Sequence, residues 1–277
     1  NKALKNVNGL SSLKSVGGFL QFEDNEQLDN IDGLSALQSV GDLVYISGNA
    51  QLKTINGLAA LRSVASYITI KENPLLQNIN GFMALSSVKG HISVRENPVL
   101  TSIGGFSALS SVDEYISIRD NAALVTIGGF SVLPTVGKYL FIAGNPVLKT
   151  ISGFSALQGS NEYLTVKDNP LLQDINGLKN LKSVGGALNL DNNDQLLNLD
   201  GLSGIQTVNG PLFVGFNDKL QNVDGLSGIR SLNGVLAIQA NPLLTSIEGL
   251  ANIDPETITT YEEYKGLYIV DNGTLSI

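Results

Sequence analysis

The stretch GLSALQSVGDLVYISGNAQLKTIN, residues 33 to 56, contains the whole structural unit of this chain. Its apolar residues are Leu34, Leu37, Val40, Val44, Ile46, Leu52 and Ile55, and Asn49 stands in their midst. Val44 and Ile46 are two apart, the spacing that sends both side chains of a short strand to one face. The three-residue gaps from Leu34 to Leu37 to Val40, and from Leu52 to Ile55, suit a chain that keeps turning instead of forming a helix.

The unit recurs along the chain. Asparagine returns every 24 residues at Asn1, Asn25, Asn49, Asn73 and onward to Asn241, and glycine keeps the same period from Gly9 through Gly33 to Gly249. A fixed period in this range is the signature of a solenoid, in which each coil buries its apolar side against its neighbours. The expected fold is mainly β: a solenoid of about eleven 24-residue coils over residues 1–253, then an irregular C-terminal coil over 254–277. That last coil carries an insertion, since Asn272 follows Asn241 by 31 residues, and is expected to act as a cap. Stacked strands form a parallel sheet rising about 4.8 Å per coil, so the rod is roughly 50 Å long. Leu20, Val44, Ile68, Ile92, Ile116 and Leu140 begin one core column, and Phe82, Phe106, Phe130 and Phe154 replace leucine in another.

The asparagine ladder reads as structural: a buried amide at a turn can donate to and accept from backbone groups of its own and adjacent coils. Each ladder glycine is expected at a corner requiring positive φ or close backbone packing. Prolines following the ladder residue, such as Pro74, Pro98 and Pro146, stiffen that turn.

Composition narrows the function. With 17 Lys plus Arg against 25 Asp plus Glu, a net charge of −8 disfavours a nucleic-acid or anionic-membrane binder with a broad basic face. There are no cysteines, so stability must come from repetition and not from disulfides or thiolate-bound zinc. No apolar run approaches the ~20 residues of a membrane span. The chain begins without Met and in phase with the repeat, and is read as a piece of a longer protein whose other parts hold targeting and anchor.

The segment Gly33 to Asn49, followed by AQLKTI, resembles the receptor L-domain family and the bacterial surface repeats similar to it. A standard leucine-rich repeat has leucine two residues after its asparagine, whereas Leu52, Leu76 and Leu100 come three after. The resemblance implies a right-handed, single-stranded β-solenoid, extracellular or at a cell surface, that binds proteins or glycans and performs no catalysis. The missing cysteines depart from receptor ectodomains, so a growth-factor receptor role is not carried over; a bacterial or microbial-eukaryote surface protein fits better.

Function is sought where the coils differ. Counting the ladder glycine as position 1, the residues at positions 11, 13 and 15 are expected to point outward. Position 11 brings Tyr67, His91, Tyr115, Tyr139 and Tyr163 into one column; position 13 holds Tyr45, Phe141 and Phe213 among Thr69, Ser93, Ser117 and Thr165. Position 15 contributes Lys71, Arg95, Arg119 and Lys167, about 13 Å along the strand from position 11, with Glu72, Glu96, Asp120 and Asp168 beside them. The tyrosine column, His91, Phe141 and the four cations are the candidate ligand-binding residues, gripping a glycan by ring stacking or a protein through Tyr and Arg anchors. The plain alternative is that stacked rings and alternating charges only cover a sheet.

Asp200, Asp224 and Glu248 occupy one position in successive coils, a stacked carboxylate column that is a weak calcium candidate. Asp191, Asn192, Asn193, Asp194 and Asp218 form a similar cluster. Neither has an EF-hand or calcium-binding nonapeptide spacing, so solvated carboxylates are the simpler reading and no cofactor is required. Ser160 interrupts a valine column and needs a partner. The sequon at Asn272 uses a ladder residue and reads as accidental.

Catalysis is the weakest class. The sole histidine, His91, has no cysteine to pair with, and no phosphate loop, zinc motif or nucleophile elbow occurs. A polysaccharide-active site would draw on Glu96, Arg95 and Arg119, and an ice-binding face on the hydroxyl rank Ser15, Ser39, Ser63 and onward, which adjoins Lys14 and Arg62. The expectation is a non-catalytic recognition or adhesion solenoid taking a protein or glycan ligand, with a structural spacer of a large surface protein as the alternative.

Overall fold

The spacing of Val44 and Ile46 does produce a strand, and in the computed structural model its equivalents stack in register. The structure describes residues 1–261, 264–273 and 275. Four-residue strands from Leu20–Glu23 to Leu267–Val270 form an eleven-stranded parallel sheet, here the front sheet. Its register follows the period: Val44 pairs with Ile68, and Ile68 with Ile92. A back sheet of ten two-residue strands runs from Ser15–Val16 to Ser231–Leu232. A third parallel sheet of four strands spans Asn78–Ile79 to Thr150–Ile151. The result is a β-solenoid of about nine regular turns, fewer than the eleven expected, because the first coil is partial and the last step lengthens to reach Leu267.

The third sheet explains the phenylalanine column. Where the core residue after the ladder glycine is leucine, the corner is a tight 3-10 turn, as in Asp32–Leu34, Asn56–Leu58 and Asn176–Leu178. Where it is Phe82, Phe106, Phe130 or Phe154, two residues just before the glycine pair as strands instead. The four rings are fully buried and stack at 4.9–5.0 Å, close to the strand spacing. Larger side chains widen the corner, and the widened corner has room for a ladder.

Asparagine serves the interior as expected. Asn121 Nδ2 donates to the carbonyls of Val94 and Arg119 at 3.1 and 2.9 Å, and its Oδ1 accepts from the backbone N–H and side-chain Nδ2 of Asn97 at 3.2 and 3.3 Å. From Asn49 to Asn241 every ladder amide is fully buried. Each therefore saturates polar groups that would otherwise be stranded beside the core.

The ladder glycines turn out differently from one of the two expectations. They do not adopt positive φ; they allow backbones to touch, as a Cβ on Gly33 would lie 2.0 Å from the Val7 carbonyl oxygen and one on Gly57 1.9 Å from that of Ile31. The left-handed corner lies one residue before the asparagine. Asp24, Glu72, Glu96, Asp120, Asp168, Asn192, Phe216, Ala240 and Asp271 occupy it with φ between 50° and 57°, and Gly48 and Gly144 occupy it in two other coils.

After Ile253 the chain leaves the repeat. Asp254 caps a 3-10 turn over Pro255–Thr257 by accepting from Glu256 N–H at 3.0 Å, and Thr260–Tyr261 pairs antiparallel with Tyr264–Lys265. Leu267 then rejoins the front sheet opposite Leu236, and Asn272 Oδ1 accepts from Asn241 Nδ2 at 3.1 Å. Leu267 is 55% exposed on this final strand. Thr274 of the sequon lies outside the described residues. No helix among the described residues is long and apolar enough to cross a membrane.

Candidate functional site

The front sheet sets the geometry of the outward columns, since residues one period apart lie side by side on adjacent strands. Tyr67, His91, Tyr115, Tyr139 and Tyr163 do form one continuous stack, with centroids 4.6, 4.3, 4.4 and 4.3 Å apart and planes within 4–11° of parallel. All five are half-buried. Within the stack the ring faces lie against one another, so edges and polar atoms are what the column presents outward. Burial first, and then neighbouring Tyr163, push the Tyr139 hydroxyl up to about 12; burial likewise raises those of Tyr115 and Tyr163. These phenols remain protonated donors at neutral pH.

His91 sits inside this column. Burial lowers its imidazole below the usual value against the opposing pull of Glu114, whose Oε2 is 3.7 Å from Nδ1, while Lys138 adds to the lowering. Glu114 is itself engaged by Lys138 Nζ at 2.8 Å. The imidazole is therefore predominantly neutral at pH 7 and behaves as one more ring of the stack.

The cation column is also present, but its charge is answered locally. Lys71 lies 3.2 Å from Glu72 and Lys167 3.5 Å from Asp168, while Arg95 bonds Glu96 and Arg119 bonds Asp120. Arg119 also comes within 3.8 Å of Glu96. Burial works to raise the Glu96 carboxyl, but Arg95 and Arg119 together hold it below the ordinary range. The left-handed corner at Glu72, Glu96, Asp120 and Asp168 places each carboxylate beside the cation immediately before it. Phe141 separates Ser117 from Thr165, and Ala143, not a cation, follows it at position 15.

Between the two columns the outward position 13 is deeper than expected. Thr69, Ser93, Ser117 and Thr165 are only 7–8% exposed, because small hydroxyl side chains lie below the longer ones flanking them on either side. They floor a trough. Tyr45, Tyr67, Thr69, His91, Ser93, Arg95 and Tyr115 line a concavity of about 340 Å³. Tyr45 and Phe141 continue the floor column at its two ends, four strands or about 19 Å apart. Lys71 Nζ lies 5.9 Å from the Tyr45 ring centroid, a long cation–π contact.

The structure thus brings the five rings into one wall and places Lys71, Arg95 and Arg119 opposite. Lys167 lies beyond Phe141, outside the deepest part. Glu114 and Lys138 lie one period apart on the turn before the strand, outside the outward strand columns that hold the candidate residues, and their bond sets the charge beside His91. The carboxylates of Asp200, Asp224 and Glu248 each begin a 3-10 turn at an exposed position, and no group of three His, Cys, Asp or Glu among the described residues is gathered to hold a metal ion. One carboxylate per coil, each at an exposed position, stacks as a column and gathers no such group. Asp191, Asp194 and Asp218 form no such group either; Asn193 between them is a buried ladder residue.

No protein-family model matches this chain, and no curated protein matches it.

Proposed function

We propose that this protein is a non-catalytic recognition or adhesion module, extracellular or at a cell surface, that takes an extended protein or glycan ligand along its front sheet. The trough floored by Thr69, Ser93 and Ser117 is the observation that carries this reading. It pairs a wall of ring edges and phenol donors with a wall of guanidinium and carboxylate groups, and hydroxyls supply both donors and acceptors beneath. Such a lining suits a neutral or mixed-polarity chain more than a polyanion, because each cation already faces a carboxylate. The likeness of the repeat around Gly33 to Asn49 to receptor L-domains supports the surface assignment and a right-handed coil.

The test is a double variant, Tyr115→Ala with Arg119→Ala, compared with the unaltered chain on arrays of immobilised extracellular proteins and glycans. The reading expects binding to fall by about 10-fold or more, the effect of losing an anchor worth ~1.4 kcal/mol or above. Equal binding by a variant with an unchanged circular dichroism spectrum would remove the trough as the contact surface.

A second reading is favoured by the ring geometry itself. Three of the five rings are sandwiched between neighbours, the two end rings are each covered on one face, and the cations are paired internally, which is also what a rod that only spaces other domains requires. A spacer predicts no ligand on either array and a rod length unchanged by the double variant.

A further inference from the structure

The front sheet carries a second depression, beyond Phe141 and away from the tyrosine column. Here the floor position is held on successive strands by Asn189, Phe213, Ala237 and Tyr268. Ala237 is the small member, so Phe213 and Tyr268 flank it from strands two apart, about 9.6 Å between backbones. Rings on adjacent strands of this protein stack at 4.3–5.0 Å, so the alanine leaves a gap one ring deep in a row that could have held a ring. Asn189, Asp191, Phe213, Ala237, Gln239 and Tyr268 line the resulting slot of about 240 Å³. That is below the ~300–1,000 Å³ of a typical drug-sized pocket, a size for one ring and not for an extended ligand.

Its polar side is built for donors. The column that holds Lys71, Arg95, Arg119 and Lys167 reverses sign at Asp191, whose carboxylate lies against Gly215; a Cβ there would sit 3.1 Å from Asp191 Oδ1. Asn189 Oδ1 and Asp191 Oδ1 are both buried without a hydrogen-bond partner among the described residues. Burial raises the Asp191 carboxyl and the nearby Asp168 charge adds to the rise, opposed by Asn189, Gly215 and Lys167. Asn189 and Gly215 act on the Asp191 carboxylate as donors, but the two Oδ1 atoms remain without one, which is costly to maintain, so a fitting occupant brings hydroxyl or N–H groups. The surrounding charge is balanced: Lys167 and Asp168 pair with each other at 3.5 Å and act on Asp191 in opposite senses, while burial favours its uncharged form, so a neutral hydroxylated ring suits the slot.

We propose that this slot binds one hexopyranose unit of a neutral glycan, with Asn189 and Asp191 accepting hydrogen bonds from adjacent ring hydroxyls and the Phe213 and Tyr268 side chains flanking the ring. Gln239 supplies a further amide at the rim. The assignment does not depend on what occupies the trough.

The test uses the whole chain on an array of immobilised neutral hexose- and N-acetylhexosamine-terminated oligosaccharides, with saturation-transfer NMR on those retained. Asp191→Asn removes the carboxylate while keeping its shape. Ala237→Phe fills the slot, and the sheet accepts phenylalanine at this position, as Phe141 and Phe213 show. If Ala237→Phe alters the circular dichroism spectrum, Ala237→Thr, the residue found at Thr69 and Thr165, narrows the slot instead. The expected result is retention of a subset of neutral glycans, weakened about 10-fold or more by both changes, the Asp191 change by removing a charged acceptor and the Ala237 change by filling the slot. Tyr115→Ala with Arg119→Ala is run in parallel: glycans whose retention falls with that pair alone report the trough, and glycans whose retention falls with the slot variants report the slot, which separates failure of the slot from failure of the trough. No retained neutral glycan, retention unaffected by either slot variant, or binding only of basic peptides overturns the proposal.

Discussion

The His91 imidazole stacks on the Tyr115 ring with centroids 4.3 Å apart and planes 4° from parallel. Tyr67 covers its other face at 4.6 Å, so the chain's single histidine is held as a neutral ring between two phenols. Because burial lowers its folded-state pKa below the ordinary 6.5, the unfolded chain binds the proton more readily as pH falls. Stability contributed by neutral His91 is therefore present above about pH 6.5 and declines as pH drops through that value, levelling off below the folded-state pKa. Urea midpoints measured between pH 7.5 and 5 should fall, and His91→Tyr, which extends the column's own chemistry, should flatten that slope. An unchanged slope in the variant would assign it to carboxylates instead.

The asparagine ladder makes a graded prediction. Asn121→Ala removes the side-chain acceptor of the buried Asn97 N–H and a donor to the Val94 carbonyl, whereas Asn97 Nδ2 keeps the Ile70 and Arg95 carbonyls and the Arg119 carbonyl keeps the Glu96 N–H. At ~1–3 kcal/mol for a stranded buried group, the loss should be about 2–4 kcal/mol. Asn25→Ala should cost much less, since Asn25 is 7% exposed and its Oδ1 accepts only from the N-terminal amine at 3.1 Å, while its backbone N–H bond to Asn49 survives. Equal losses at the two sites, measured by urea unfolding, would contradict a ladder that works by satisfying interior groups.

A third expectation concerns the left-handed corner. Ala240 holds φ +52°, a conformation that costs a non-glycine residue ~1–2 kcal/mol, while Gly48 and Gly144 already fill equivalent corners. Ala240→Gly should raise stability by about 0.5–1 kcal/mol after the greater flexibility of the unfolded glycine is subtracted. A lower melting temperature would show that the Ala240 methyl packs more usefully than its backbone strain costs.

Which features the sequence exposed follows from what periodicity encodes. Val44, Ile46 and Asn49 recur with fixed spacing, so the front strand, its register and the buried amide could be read directly. Corner conformation could not, because Glu72, Glu96 and Asp120 carry no glycine signal; only Gly48 and Gly144 hinted that this position turns left-handed. The third sheet was hidden because two-residue strands such as Ser102–Ile103 are too short to alternate. At the candidate site the columns of Tyr115 and Arg119 were visible from spacing alone. That the rings face one another, that Arg119 is paired with Asp120, and that Ser93 and Ser117 sink into a floor all depend on side-chain direction and length, which a count of residues does not contain.

The last prediction lies in the back sheet, where Ser160 stands between Val136 and Val184 in register. Its Oγ is buried without a hydrogen-bond partner among the described residues, and the residue as a whole is 2% exposed. Ser160→Val would remove the stranded hydroxyl, extend the valine column and bury added apolar surface, at ~0.8 kcal/mol per methylene-sized group. The expected gain is about 1–2 kcal/mol. Ser160→Thr is the control: it adds a methyl but keeps the hydroxyl, so it should recover only part of that gain. Calorimetric melting of both variants checks the argument. If Val proves less stable than Thr, the hydroxyl has a partner worth more than the apolar contacts that replace it, and the column is interrupted there for a polar reason.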